Sequence, residues 1–122
     1  MARKRILIVD DSATSLLWQG MILTQGKYEV LTARGGREGV DTALVERPDL
    51  VLMDVAMPDM GGYEACRVLR TNHATAAVPV IMVATKGEGD AAERRESGCS
   101  DHITKPIDKR ELLAKVRNLL GD

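Results

Sequence analysis

Two hydrophobic patterns alternate along this chain: short unbroken apolar runs, and longer stretches whose apolar residues recur every three or four positions. Arg5-Ile6-Leu7-Ile8-Val9 is the first run, and Ala13, Leu16, Leu17, Gly20, Met21 and Thr24 follow at helical spacing. Tyr28 to Ala33 predicts a second strand and Arg37 to Glu46 a second helix, stopped near Pro48. In Asp49-Leu50-Val51-Leu52-Met53 every residue after the first is apolar. A strand without a polar face is one covered on both sides, which is what a parallel sheet produces. Pro58 and Gly61-Gly62 mark a loop before a helix from about Tyr63 to Thr71, and Val78 to Ala84 predicts a fourth strand. Asp90 to Ser97 is helical but weakly apolar, and Asp101 to Thr104 is a short fifth strand. Asp108 is set to cap a last helix whose Leu112, Leu113, Val116, Leu119 and Leu120 mark one face.

Five strand-helix pairs in alternation predict a three-layer α/β/α sandwich on a doubly wound, five-stranded parallel sheet. No linker or repeat interrupts the series, so 1–122 is expected to form a single domain without an effector domain. In open sheets of this kind, ligands bind outside the carboxyl ends of the strands where the strand order reverses.

Composition narrows the function. With 44% hydrophobic residues, the 122-residue chain can build one continuous core. A net charge of -1 with 29% charged residues leaves no broad basic face, and the lack of Phe, with one Trp and two Tyr, leaves no stacking platform for bases. Direct nucleic-acid binding is therefore not expected. No apolar run approaches the roughly 20 residues of a membrane span, and no apolar leader follows Ala2-Arg3-Lys4-Arg5. The reading is a soluble cytoplasmic protein without membrane insertion. Cys66 and Cys99 lack metal-site spacing and read as reduced structural thiols.

The candidate chemistry lies at the predicted strand ends: Asp10 and Asp11 after the first, Asp54 after the third, Ala84-Thr85 after the fourth and Lys105 after the fifth. Three carboxylates on one rim repel one another, since two charges 4 Å apart cost about 4 kcal/mol at an effective dielectric of 20. They call for a hard cation with oxygen ligands, and Mg²⁺ suits a phosphoryl-transfer site. Lys105 offers a compact positive charge to a phosphate oxygen.

The segments Val9-Asp10-Asp11-Ser12, Leu52-Met53-Asp54-Val55-Ala56-Met57-Pro58, Gly62 and Thr104-Lys105-Pro106, in this order across essentially the whole chain, resemble the receiver domains of two-component response regulators, of the chemotaxis-regulator type. Each motif alone is weak, and the ordered set is specific. The resemblance implies a flavodoxin-like strand order 2-1-3-4-5 and a phosphoryl group accepted by Asp54 from a histidine kinase or phosphotransfer protein. It implies Mg²⁺ held by Asp10, Asp11, Asp54 and the backbone carbonyl of Ala56, with Lys105 contacting the phosphoryl group, and a cis peptide between Lys105 and Pro106. It also implies an output face of fourth helix, fifth strand and fifth helix, roughly Gly89 to Gly121, for a downstream protein partner. Homodimerisation through the last helices is left open.

Two positions depart from the family pattern. Aligning Pro79-Val80-Ile81-Met82-Val83 with the usual strand puts Ala84 where the family has a switch hydroxyl, with Thr85 one step beyond; a shifted register would restore Thr85. The second switch position, usually aromatic, holds His102. These departures keep a second reading open, a receiver-like interaction module that does not switch by phosphorylation. An enzymatic reading, a small-molecule phosphatase with Asp54 as nucleophile, is disfavoured because Asp54-Val55-Ala56 lacks an Asp-x-Asp arrangement. A phosphoaccepting signalling domain, not an enzyme acting on other substrates, is expected.

Overall fold

The computed structural model describes residues 3–122; Ala2 of the basic start lies outside them. Strands β1 (Arg5–Val9), β2 (Glu29–Ala33), β3 (Leu50–Asp54), β4 (Val80–Thr85) and β5 (Asp101–Lys105) alternate with helices α1 (Ala13–Gln25), α2 (Gly36–Glu46), α3 (Gly62–Thr71), α4 (Ala91–Ser97) and α5 (Lys109–Leu120). The strands form one sheet in the order β2-β1-β3-β4-β5, every neighbouring pair parallel. The sheet is the one the hydrophobic runs predict, with element ends moved by one or two residues.

Strand side chains alternate between the two faces. Ile6, Ile8, Leu50, Leu52, Ile81, Val83 and Ile103 point to one side, where Leu16, Ile22 and Leu23 of α1 and Leu112, Leu113 and Val116 of α5 cover them. Leu7, Val9, Val51, Met53, Val80 and Met82 point to the other, against Val40 and Ala43 of α2 and Ala65, Cys66 and Leu69 of α3. Every residue of β3 is buried, because it is the middle strand with helices on both sides.

α1 departs from the apolar stripe of its sequence. Its buried face runs Leu16, Gln19, Ile22, Leu23, while Leu17 and Met21 are exposed. The helix can turn only one stripe to the sheet, and the stripe that fits the β1–β2 surface carries a glutamine. Asp90 and Asp108 cap α4 and α5, each accepting two backbone N–H groups, and Gly98 and Gly121 close these helices with left-handed backbone. α4 buries only Ser97. It is held by its caps and by little apolar contact.

Candidate functional site

β1 and β3 are adjacent in the sheet and β1 pairs on its far side with β2, so the strand order reverses between them at their carboxyl ends. Asp10 follows β1 and Asp54 ends β3, both continuing the side-chain alternation toward the α1 and α5 side. Ligand oxygens of Asp10, Asp11 and Asp54 lie within 4.8 Å of one another. Asp10 and Asp54 are buried and Asp11 is exposed. Lys105, at the end of β5, reaches across β4 to put its Nζ 3.1 Å from Asp10 Oδ2 and 3.5 Å from Asp54 Oδ1. The Lys105–Pro106 peptide is cis.

Asp10 is the best-held member. Its Oδ1 accepts the Ser12 N–H at 2.9 Å, and its Oδ2 accepts from Gln19 Nε2 at 3.3 Å as well as from Lys105. Asp54 has fewer partners. Burial and then the charge of Asp10 push its carboxyl up to about 6, with Glu88 adding to the rise and Lys105 opposing it. Burial works against the Lys105 ammonium, but its hydrogen bond to Asp10 and the charges of Asp54 and Asp10 outweigh that and raise its pKa. One lysine thus serves two buried carboxylates, with the exposed Asp11 beside them, and the cluster remains short of positive charge. A hard divalent cation with oxygen ligands matches that donor set.

The backbone around Asp54 is tightly built. Gly62 donates its N–H to Val55 O at 2.8 Å, and a Cβ on Gly62 would lie 2.2 Å from the Asp54 carbonyl oxygen. Only glycine lets α3 begin this close to the strand end. Asp59 ties the same loop to α2 by accepting the N–H groups of Gly36 and Arg37. Ala56 is exposed in this loop, two residues past Asp54.

A family model for the response regulator receiver domain matches residues 6–117. The chain belongs to this receiver family. Protein PilH of Pseudomonas aeruginosa is 42% identical over 118 residues, covering 96% of this chain and 98% of its own. Response regulator PleD of Caulobacter vibrioides is 42% identical over 116 residues, but the chain spans only 26% of its length. Among solved structures, the receiver domain of the sensor histidine kinase PA1611 of Pseudomonas aeruginosa, determined with a magnesium ion coordinated in its active-site cleft, superimposes with a TM-score of 0.91 at 28% identity, covering 99% of this chain and all of that one. Receivers are signalling phosphoacceptor domains that interact with histidine kinases and downstream partners. Among the described residues no helix is long and apolar enough to cross a membrane.

The receiver's two unusual positions, Ala84 and His102, lie on the same face of the sheet edge. Ala84 pairs in register with Thr104, and Met82 with His102. Ala84, Met82, His102 and Thr104 line, with Tyr63, one small cavity of about 180 Å³. Thr85 pairs with Lys105 and follows Val83 in the alternation, so it takes the side of Asp54. It is exposed, and its N–H donates to Glu88 Oε1 at 2.8 Å.

Sequence reasoning missed three residues around the site. Gln19 is buried on a helix face that the apolar pattern did not select, and no local signal marks a polar core residue. Arg34 donates through Nη2 to the Asp11 carbonyl oxygen at 3.2 Å. Glu88 reaches the site by the fold of the β4–α4 loop, which charge pattern alone does not foretell.

Proposed function

We propose that residues 1–122 act as one cytoplasmic receiver domain in which Asp54 accepts a phosphoryl group from the phosphohistidine of a histidine kinase or phosphotransfer protein. The observation that carries this reading is the Asp54 carboxylate, buried at the end of the central strand between Asp10 and the Lys105 ammonium. Asp54 supplies the nucleophilic oxygen. The new O–P bond forms as the P–N bond breaks, and the imidazole leaves with the electron pair and takes up a proton. Lys105 faces the transferring oxygens and offsets their charge. Asp10, Asp11, Asp54 and the Ala56 carbonyl are the residues that would hold Mg²⁺. When bound, the ion neutralises the phosphoryl oxygens and lowers the repulsion among the carboxylates.

In this reading the chain is not an enzyme toward other substrates. Its product is its own acyl phosphate, whose new charge at the strand end favours a rearranged surface. Thr85 or Ala84 and His102 occupy the switch positions, and α4, β5 and α5 form the face for a downstream protein partner, or for a second copy. The test is intact-mass spectrometry after incubation with acetyl phosphate and Mg²⁺. Gain of one phosphoryl mass by the native chain but not by Asp54→Asn supports the proposal. No gain, beside a receiver that does react, leaves the second reading, an interaction module that ignores phosphate, which Ala84 and His102 at the switch positions, together on one face, favour.

A further inference from the structure

The β4–α4 loop brings a fourth carboxylate to the site. Thr85 is the last residue of β4, in register with Lys105, whose Nζ lies 3.5 Å from Asp54. Its N–H is one of the backbone donors at this rim, and the donor is already taken. Glu88 folds back through a turn, with its own N–H on Thr85 O at 3.0 Å, and its Oε1 accepts the Thr85 N–H at 2.8 Å. The side chain and backbone of Thr85 together hold the Glu88 carboxyl below its usual range, and the charge of Lys105 adds to this. Two residues further on, Asp90 caps α4 with its own carboxylate.

We infer that Glu88 is a latch: its carboxylate occupies the Thr85 N–H in the unmodified chain, and a phosphoryl group on Asp54 displaces it, freeing the loop that leads into α4. The inference rests on the reading of Asp54 as phosphoacceptor. The physical ground is that a phosphoryl group and a carboxylate are both anions and compete for the same donor. The incoming group carries about two negative charges, so it both outbids Glu88 for Thr85 and repels it from the rim. α4 buries a single residue, so little apolar contact resists its movement. Glu88 acts here as a positioning residue, and the exchange is one of hydrogen bonds alone.

Two measurements test the latch. First, Glu88→Gln keeps the side-chain shape without the charge, and is expected to take up phosphoryl from acetyl phosphate and Mg²⁺ about fivefold faster than the native chain. That is roughly what one unit of like charge a few ångströms away is worth in a water-exposed setting. Glu96→Gln, on α4, serves as the charge control and is expected to change the rate little. Second, the Thr85 amide resonance is followed while beryllofluoride and Mg²⁺ are added to the native and Glu88→Ala chains. The two resonances are expected to differ without the mimic and to converge with it, since both amides then face the same anion. A native Thr85 amide that stays in place while the resonances of Asp54 and its neighbours move overturns the latch, as does an unchanged rate in Glu88→Gln. Absence of phosphoryl uptake by every chain overturns the phosphoacceptor reading itself, a distinct result.

Discussion

Asp54→Asn in the metal-free protein tests the electrostatic account of the site most directly. The substitution keeps the shape and leaves an oxygen for Lys105, but removes the charge. Holding an aspartate at about 6 in the folded chain against an ordinary 3.8 costs roughly 3 kcal/mol of stability at neutral pH. Because the folded chain binds this proton more tightly than the unfolded chain, the contribution is fully present below 3.8 and is lost as pH rises through about 6. Asp54→Asn is therefore expected to match the native chain near pH 4 and to exceed it by roughly 2–3 kcal/mol near pH 8 with a chelator present. Urea unfolding followed by the fluorescence of Trp18, the one tryptophan, measures the difference at each pH. Titrations common to both chains cancel. Mg²⁺ is expected to restore the native chain by about 2.7 kcal/mol at a hundred times its dissociation constant and to help Asp54→Asn far less. A stability difference that stays flat from pH 4 to pH 8, or a native chain that is the more stable at pH 8 without metal, would refute the reasoning.

Further outcomes follow from the same structure. Gly62→Ala, whose Cβ would meet the Asp54 carbonyl at 2.2 Å, is expected to cost roughly 1–3 kcal/mol and to weaken Mg²⁺ binding; unchanged unfolding and unchanged calorimetric affinity would show that the loop has slack. Asp11→Asn is expected to lower Mg²⁺ affinity by at least about tenfold, the effect of losing one charged ligand worth about 1.4 kcal/mol, with little loss of stability because Asp11 is exposed. Burial first of all pushes the Cys66 thiol up to about 11, so at pH 8 a thiol reagent is expected to modify Cys99 in the native chain and Cys66 only after denaturation. Rapid modification of both would contradict the packing of α3 against the sheet.

What the sequence determines by itself is the part of the protein governed by short-range pattern. The unbroken run Leu50 to Met53 requires a strand covered on both faces, and five such runs alternating with helical spacing leave a parallel sheet as the natural solution. Once the strands are parallel, Asp10, Asp11, Asp54 and Lys105 must meet at one end, because each stands at the carboxyl end of its strand. The acidic site was legible for that reason. Tertiary structure decides what depends on register and on which surface a helix turns inward. The apolar spacing of α1 points to Leu17 and Met21, yet packing on β1 and β2 buries Gln19 and sets its amide on Asp10. Likewise the string Val83-Ala84-Thr85 carries no mark of which side chain joins the site. The pairing of Thr85 with Lys105 and Ala84 with Thr104 separates them onto two faces, since a step of one residue reverses the direction of every side chain. Glu88, four residues past Ala84, becomes a neighbour of Asp54 only because a turn folds it back. Such contacts are set by the path of the loop in space, and no local sequence preference specifies them.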